Sequence, residues 1–429
     1  MKTLLELYPL YLRHPVITID SRTCPPGSIF FALKGASQDG NRFAAQALEN
    51  GCAYAVVDDP KVKTDDRMIL TADALQTLQQ LARLHRETLG IPVIGITGTN
   101  GKTTTKELLA AVLSVRYNVS YTQGNLNNHI GVPLTLLRLT DRNEMAVVEM
   151  GANHPGEIRE LAQMARPDYG LVTNVGCAHL EGFGSLEGVI RTKGELYDFL
   201  RETGGKIFIH KDHPHLQAIA GGLEAITYGA GDDAQVTGRV TDCRPFLRLE
   251  WSCKTVRYAA ETQLVGDYNL WNVLAAIAAG CYFDVPPAGI NAALAAYKPA
   301  NHRSQWEKTS RNELIIDTYN ANPDSMKAAL RNFAALPDRP KAVILGDMRE
   351  LGAQSLAFHE EVVELLQSFA FDRVLLCGEH FTAAGSARYP CFPEVKALSD
   401  CLSGNRLEGY HILLKGSHGV HLEKVIDRL

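Results

Sequence analysis

A glycine-rich loop between a buried strand and a helix constrains this 429-residue chain more than any other feature. The segment 94–105 reads IGITGTNGKTTT, and the apolar run Val93 to Thr97 before the glycines predicts a buried strand. Gly98 and Gly101 allow backbone N–H groups to turn inward around a phosphate, while Lys102 can bridge the β and γ oxygens of a nucleotide. The sequence therefore predicts a phosphate loop; the alternative is a glycine-rich turn that binds nothing.

Two oxygen-bearing side chains near this loop are candidate magnesium ligands. Thr103 opens the helix that follows the loop, and Glu149 ends the apolar strand at 145–149. That glutamate should lie at the carboxyl edge of the same sheet, where ligands collect in α/β proteins. Mg²⁺ prefers one or two protein oxygens together with phosphate oxygens and water. The alternative for Glu149 is a solvated charge at a strand end.

Two further candidates follow the next strand along the chain. His179 lies in the loop segment 174–185, NVGCAHLEGFGS, and is a candidate ligand for a second metal ion. Lys193 lies on the helix that should begin near Ser185. The alternatives are a structural or exposed histidine and an ordinary surface lysine.

Strand and helix patterns divide the chain into three α/β units. Residues 1–88 form a small α/β unit that ends in a helix from Ala72 to Leu89. Residues 89–298 form a central domain with a mainly parallel sheet, and residues 299–429 form a third, Rossmann-like domain. The expected fold class is therefore α/β with three domains.

Within the central domain, strands alternate with helical segments. Strands are expected at Ala146 to Glu149, Leu171 to Asn174 and Lys206 to Ile209. From 235 to 262 apolar and polar residues alternate, which predicts antiparallel strands at the sheet edge, and a helix from Asn269 to Phe283 closes the domain.

Composition excludes several classes of partner. The net charge is −5, with charges spread along the chain, so we expect no nucleic-acid binding and no polybasic membrane patch. Nine cysteines without a Cys-x-x-Cys pair indicate reduced thiols of a cytoplasmic protein. The most apolar stretch, 273–283, is too short to cross a bilayer. We therefore expect a soluble, cytoplasmic protein with no membrane insertion, acting as a monomer, although no sequence feature decides the oligomeric state.

The motifs together resemble those of the Mur ligase family. The central segments are TGTNGKTTT, EMGANHPGEI and NVGCAHLEGFGS, which are similar to motifs shared by these amide ligases. Three further segments resemble the member that adds D-alanyl-D-alanine: GNLNNHIGVPLTLLRL, YNANPDSMKAAL and LGDMRELG. The N-terminal DSRTCPPGSIFFALKG is similar to the domain with which these enzymes bind a UDP-sugar substrate. The resemblance implies a ligase with an N-terminal UDP-sugar-binding domain and a central ATP-binding domain.

The resemblance also implies ATP and two Mg²⁺ ions as cofactors. Lys102, His179 and Lys193 would be the catalytic residues, with Lys193 carbamylated so that its side chain becomes an anion able to hold the second ion. Carbamylation requires a neutral amine, so burial or positive neighbours must lower the lysine pKa. The metal ligands would be Thr103, Glu149, His179 and Lys193.

Nucleotide contacts are implied in three places. Asn269 and Asn272, which share one helix face, would contact adenine, and Arg303 and Asp317 would reach ATP from the third domain. The alternatives are a helix cap for the asparagines and a surface ion pair for Arg303 and Asp317. The phosphate-loop contacts would be Gly98, Thr99, Asn100, Gly101, Lys102, Thr103 and Thr104.

The implied substrates are UDP-N-acetylmuramoyl tripeptide and D-alanyl-D-alanine, joined through an acyl phosphate. A folate polyglutamylating ligase and an ATP-driven switch that forms no amide are the alternatives. The implied substrate-binding residues are Ser21, Arg22, Asn125, Asn127, Asn128, Tyr319, Asn320 and Asn322.

Three positions depart from the family pattern. Tyr268 stands where histidine is common, Asn301-His302 replaces the usual glycine before Arg303, and His418 stands where arginine is typical.

Overall fold

The computed structural model describes residues 3–35, 38–178, 180–337 and 340–429. Within these ranges the chain forms three α/β units built on sheets of four, nine and six strands. The expected three-domain α/β fold class is confirmed. All nine cysteines are free thiols, as expected. None of the helices in the described ranges combines the length and the apolar composition that a bilayer span requires.

The N-terminal unit packs helices against a four-stranded parallel sheet of order β1-β2-β3-β4. Its last helix begins where the Asp73 side chain accepts a hydrogen bond from the Gln76 N–H (2.7 Å), and it ends at Gly90 with φ 64°. The elements are α1 (Leu4–Arg13), β1 (Ile17–Thr18), β2 (Ile29–Phe31), α2 (Ala44–Glu49), β3 (Tyr54–Val57), β4 (Met68–Leu70) and α3 (Ala74–Leu89).

The central sheet begins at β5 (Val93–Thr97), which is buried along its whole length because helices cover both faces. Its strand order is β13-β12-β11-β10-β9-β8-β5-β7-β6. The elements after β5 are α4 (Lys102–Leu113), β6 (Val119–Tyr121), α5 (Gly131–Leu136), β7 (Met145–Glu149), α6 (Glu157–Ala165), β8 (Tyr169–Val172), α7 (Leu180–Phe183), α8 (Leu186–Thr203), β9 (Lys206–His210), α9 (Pro214–Ile219), β10 (Glu224–Gly229), β11 (Val236–Cys243), β12 (Phe246–Cys253), β13 (Val256–Val265), α10 (Leu270–Tyr282) and α11 (Pro287–Ala296).

The antiparallel edge expected between 235 and 262 is confirmed, because β11, β12 and β13 pair antiparallel there. One strand differs from its expectation: Leu171 to Asn174 was expected, whereas β8 ends at Val172. Asn174 leaves the sheet because its backbone and side chain bond the phosphate loop. Its carbonyl accepts from the Thr99 N–H (3.0 Å), and its Oδ1 accepts from the Asn100 N–H (2.9 Å).

The C-terminal domain is a six-stranded sheet of order β14-β15-β19-β16-β17-β18, parallel except for the edge strand β14. Its first helix starts at Pro323, which suits the first helical position because proline lacks an N–H there. The elements are β14 (Gln305–Lys308), β15 (Glu313–Asp317), α12 (Pro323–Ala334), β16 (Lys341–Gly346), α13 (Ser355–Leu366), β17 (Arg373–Cys377), α14 (Glu379–Gly385), β18 (Cys391–Phe392), α15 (Val395–Gly404) and β19 (His411–Lys415).

Candidate active site

A cleft of about 940 Å³ lies between the carboxyl edge of the central sheet and the C-terminal domain. Clefts at this edge are where α/β proteins bind ligands. Many of the residues selected from the sequence meet in it, although they come from distant segments. Those that line the cleft are Thr99, Asn100, Gly101, Lys102, Thr104, Asn127, Asn128, Glu149, Asn269, Asn272, Arg303, Asp317, Tyr319 and Asn320.

The phosphate loop depends on its two glycines. Gly98 and Gly101 have φ values of 140° and 80°, a region that other residues rarely adopt. A Cβ on Gly101 would also collide with the side chain of Asn272. The Lys102 ammonium folds back into the loop and donates to the carbonyls of Gly98 (2.7 Å) and Thr99 (3.0 Å). The pKa of Lys102 is lowered to about 8, mainly by burial; the negative charge of Glu149 opposes this shift and the positive charge of Arg303 adds to it.

Glu149 is buried, with 1% of its surface exposed. Its Oε1 accepts hydrogen bonds from Asn127 Nδ2 (2.8 Å) and Thr103 Oγ1 (3.3 Å). Its Oε2 is buried and has no hydrogen-bond donor among the residues that the structure describes. The nearest cation, Lys106 Nζ at 3.7 Å, is too far to donate a hydrogen bond to this oxygen, so Glu149 together with Thr103 still fits a hard divalent ion. The alternative of a solvated strand-end charge is wrong.

Lys106 is a buried residue beside the site that the sequence analysis did not select. Its side chain is fully buried, and its Nζ lies 3.7 Å from Glu149 Oε2 and 3.7 Å from Glu107 Oε1. The same ammonium donates to the carbonyl of Gly124 (3.3 Å). A buried lysine usually has a charged or polar partner, and here the partners are these two carboxylates and the carbonyl. In the sequence, the only signal was that Lys106 lies four residues after Lys102, on the same helix face. Lys106 therefore places a lysine side chain next to Glu149.

Lys193 lies inside the protein beside the cleft. It is 1% exposed, its Nζ donates to the Ala152 carbonyl (3.4 Å), and the ammonium lies 5.1 Å from the ring centroid of Phe183. Burial, with a smaller contribution from Lys102, lowers the Lys193 pKa to about 7. The surface-lysine alternative is therefore wrong. The other candidate for the second ion, His179, lies outside the described residues.

The asparagine pair of α10 is bonded into the protein. Asn272 Nδ2 donates to Asn269 Oδ1 (2.8 Å), and Asn269 Nδ2 donates to the Val265 carbonyl (2.8 Å). Asn272 Oδ1 accepts from the hydroxyl of Thr105 on α4 (3.0 Å). The pair therefore ties α10 to the phosphate-loop helix, and neither side chain caps the helix. Their contact with adenine stays a prediction.

Two aromatic residues that the sequence analysis missed form one wall of the cleft near these asparagines. The rings of Trp271 and His210 are stacked with centroids 4.0 Å apart and planes 28° apart. Burial lowers the pKa of His210 to about 4, so the ring is neutral near pH 7. His210 ends β9 at the ligand-binding edge of the sheet, a position that could have flagged it.

The C-terminal domain contributes a second group of stacked and charged side chains. The guanidinium of Arg303 lies 3.9 Å from the ring centroid of Tyr319, within the range of a cation–π contact. Tyr319 in turn stacks on His418 with centroids 5.8 Å apart. The carboxylate of Asp317 accepts a hydrogen bond from the buried Lys415 (2.6 Å). Arg303 is thus presented on an aromatic surface at the cleft.

The first turn of α12 joins the two domains. Asn322 caps this helix by accepting from the Ser325 N–H (2.9 Å), and its Nδ2 donates to Asn100 Oδ1 in the phosphate loop (2.8 Å). Asp324 Oδ2 accepts from the Cys177 N–H in the loop after β8 (3.0 Å). Asn322 is therefore committed to an interdomain contact and does not line the cleft.

Several other predicted residues lie away from the cleft. Arg22 is on the N-terminal domain, with an 86% exposed side chain that pairs with Asp20 (2.8 Å). Asn125 is exposed on the loop before α5. Among the described residues selected from the sequence, those that do not line the cleft are Ser21, Arg22, Gly98, Thr103, Asn125, Lys193 and Asn322.

A phosphate loop that faces a Rossmann-like domain across a cleft is typical of α/β enzymes that bind a nucleotide between two of their domains. Three family models match in succession: "Mur ligase family, catalytic domain" over residues 15–93, "Mur ligase middle domain" over 96–280, and "Mur ligase, glutamate ligase domain" over 302–418. Relatives of the same family match over nearly the whole chain. The chain belongs to the Mur ligase family.

Two relatives carry the name UDP-N-acetylmuramoyl-tripeptide–D-alanyl-D-alanine ligase. The protein from Bacillus subtilis is 37% identical, with 97% of this chain and 93% of that protein covered. The protein from Escherichia coli is also 37% identical, with 96% and 93% covered.

Solved structures give the same family. MurF from Acinetobacter baumannii has a TM-score of 0.86 and 30% identity, with 96% of this chain and 92% of that chain covered. MurF ligase from Thermotoga maritima in complex with ADP has a TM-score of 0.86 and 27% identity, with 100% and 98% covered. Folylpolyglutamate synthase from Mycobacterium tuberculosis, at 15% identity, shares the fold with a TM-score of 0.64.

Proposed function

We propose that this chain is an ATP-dependent amide ligase that joins D-alanyl-D-alanine to UDP-N-acetylmuramoyl tripeptide during cytoplasmic synthesis of the cell-wall precursor. The observation that carries the proposal is the cleft, in which Lys102 and Glu149 of the central domain face Arg303 of the C-terminal domain. The relatives named for this reaction match the chain over almost its full length. We further propose that the chain acts as a monomer, with domains at 1–88, 89–298 and 299–429.

The reaction explains why a phosphate loop is needed. A carboxylate resists attack by an amine because its leaving group would be oxide, so it must first be activated. The carboxylate oxygen of the tripeptide attacks the γ-phosphorus of ATP, ADP leaves, and an acyl phosphate forms. The amine of D-alanyl-D-alanine then attacks the carbonyl carbon and loses a proton, and phosphate departs with its bonding electrons.

The protein's own side chains stabilise charge and exclude water in this sequence. Lys102 and Arg303 approach the cleft from opposite domains, so both can stabilise the charge that spreads over the transferred phosphoryl group. Contacts between α12 and the phosphate loop close one side of the cleft, which shields an acyl phosphate from hydrolysis. The residues that would hold Mg²⁺ are Thr103 and Glu149; the ion would neutralise phosphate charge when bound.

A second ion would need more ligands than the described residues near Lys193 supply. We propose that Lys193 is carbamylated and that it and His179 hold this ion. Support comes from the burial of Lys193 and from its pKa of about 7, which leaves much of the amine neutral at cellular pH.

Substrate contacts are assigned on both sides of the cleft. Asn127 and Asn128 line it from the central domain, and Tyr319 and Asn320 line it from the C-terminal domain. We propose that these four residues contact the tripeptide or the dipeptide, whereas Asn125 and Asn322 are not assigned to either substrate, because neither lines the cleft. Ser21 and Arg22, on the N-terminal domain, are proposed to bind the UDP-sugar.

Product analysis tests the proposed function directly. Purified protein would be incubated with ATP, Mg²⁺, D-alanyl-D-alanine and UDP-muramoyl tripeptides that end in diaminopimelate or lysine. We expect a product heavier by one dipeptide less water, together with ADP and phosphate in equal amounts. Mass spectrometry of both reactions also identifies the preferred third residue. ATP turnover without any coupled product would favour the switch, and glutamate addition to a folate would favour the other ligase.

The aromatic wall gives a prediction about nucleotide affinity. We propose that adenine stacks on Trp271, because this ring lines the cleft beside Asn269 and Asn272. Replacing Trp271 with alanine should raise the KM for ATP by about tenfold, since stacking of a base on an aromatic ring contributes about 1–3 kcal/mol. Trp271→Phe keeps a ring and should recover most of the affinity. An unchanged KM for ATP in Trp271→Ala would contradict the assignment.

A further inference from the structure

The linker that leads into the C-terminal domain, residues 297–304, has a positive φ angle on both sides of Arg303. His302 and Ser304 have φ values of 56° and 49°, in the left-handed region that only glycine adopts readily. The His302 carbonyl accepts from the Thr318 N–H (3.0 Å), and Ser304 Oγ lies 2.8 Å from the hydroxyl of Tyr268. A conformation of this kind persists only where several contacts hold it.

A second group of contacts to the linker comes from Glu107 on the phosphate-loop helix α4. Its Oε2 accepts from the hydroxyl of Tyr297 (2.6 Å), at the start of the linker. Both of its carboxylate oxygens accept from Asn301 Nδ2, each at 3.1 Å. The side chains of Tyr297 and Asn301, both in the linker, are thus hydrogen-bonded to one carboxylate. Hydrogen bonds to a charged acceptor are stronger than those between neutral groups.

This anchor is continuous with the metal-binding carboxylate. Lys106 Nζ lies 3.7 Å from both Glu107 Oε1 and Glu149 Oε2, so one buried ammonium sits between the anchor and the proposed magnesium ligand. Glu107, Lys106 and Glu149 therefore form a row of alternating charges that connects the linker anchor on α4 to the proposed magnesium ligand.

Asn301 lies two residues before Arg303 in the linker. The Asn301 amide gives two hydrogen-bond contacts to Glu107 in the segment where Arg303 must be placed.

We propose that Glu107 is a positioning residue for the ligase reaction, which fastens the interdomain linker to the phosphate-loop helix and thereby holds Arg303 at the nucleotide site. The inference rests on the proposed function, because Arg303 is taken to act on the transferred phosphoryl group. The competing explanation is that Glu107 serves only as a counter-ion for buried Lys106.

The test separates these explanations by removing the donors and leaving the carboxylate. The double variant Tyr297→Phe/Asn301→Ala deletes all three hydrogen-bond contacts to Glu107 but keeps its pairing with Lys106. Gln263→Ala is the matched control, since it deletes the bond from Gln263 Nε2 to the Ala295 carbonyl (2.7 Å), near the same linker but away from α4. Each variant is also combined with Arg303→Ala.

We expect the double variant to lower kcat about tenfold with less than about a twofold change in the KM for ATP, as for a lost transition-state interaction. In the Arg303→Ala background the double variant should cause no further loss, because both changes remove the same contribution. Gln263→Ala should behave as wild type. Should the double variant misfold, the single variant Tyr297→Phe, which removes one oxygen atom, takes its place.

Hydrogen exchange supplies a readout that does not depend on ligase activity. Amides of the linker from 297 to 304 should exchange faster in the double variant than in wild type or in Gln263→Ala. Unchanged exchange, a wild-type kcat, or a full additional tenfold loss in the Arg303→Ala background would each overturn the inference. A wild-type protein that makes no amide product would instead refute the proposed function, and the exchange experiment would still decide whether Glu107 anchors the linker.

Discussion

Replacing Lys102 with methionine is expected to lower the kcat of the ligase by about a thousandfold, the upper end of what one electrostatic donor contributes. Its ammonium lies within the phosphate loop, 2.7 Å from the Gly98 carbonyl, and a bound triphosphate would offer it a better acceptor than these carbonyls. Methionine keeps the length and apolar stem of the side chain while deleting the charge. Single-turnover formation of ADP measures the effect on phosphoryl transfer.

Lys211→Met is the control for this experiment. Lys211 lies just after β9 and pairs with Asp233 (2.6 Å), so its loss removes a lysine charge without touching the phosphate loop. We expect wild-type rates from it. A Lys102→Met protein that retains more than about a tenth of wild-type kcat would show that the loop does not serve phosphoryl transfer.

Replacing Lys193 with alanine is expected to lower ligase activity by about a hundredfold, because it would remove one ligand of the proposed second ion and the negative charge of the proposed carbamate. A lysine with the usual pKa of about 10.4 is about 0.04% neutral at pH 7, whereas one at about 7 is about half neutral. Because only the neutral amine reacts with CO₂, the carbamate should be lost as the pH falls below about 7. Wild-type activity should therefore depend on bicarbonate most strongly at low pH.

The carbamate can be observed without measuring activity. With ¹³C-bicarbonate, wild type should show a carbamate carbon by NMR, and Lys193→Ala should not. Lys206→Ala is the control, because Lys206 is the first residue of β9, at the end of the strand away from the cleft, and pairs with Glu224 (2.7 Å). If Lys193→Ala keeps full activity across bicarbonate and Mg²⁺ concentrations, the second-metal role is wrong.

The sequence predicted a strand or helix well where a glycine or a capping residue marks its end. The strand Val93 to Thr97 has the predicted bounds, since an apolar run ends at a glycine. The first-domain helix was expected from Ala72 but begins at Ala74, because Asp73 serves as its cap. Strand β8 ended early because Asn174 bonds a loop that is about seventy residues away in sequence. A contact of that range leaves no mark on local periodicity.

The site followed the same rule. Lys102 and Glu149 could be predicted because a glycine loop and a strand end are local patterns, and both line the cleft. Lys106 and Glu107 resemble ordinary helix residues until the fold brings Glu149 and Asn301 to them. Trp271 was overlooked because an aromatic residue on an apolar helix fits a core position equally well. Partners supplied by tertiary structure are what the sequence alone could not reveal.

The pairing of Asn322 with Asn100 has a consequence for the order of events in a catalytic cycle. Asn100 belongs to the loop that would surround the phosphates, and its side chain accepts the hydrogen bond from Asn322 at the start of α12. Rearrangement of that loop as spent nucleotide departs would strain or break this amide pair, and parting of the two lobes would in turn disturb the loop. We therefore expect release of ADP to be coupled to separation of the two domains, so that slow domain separation would also limit turnover.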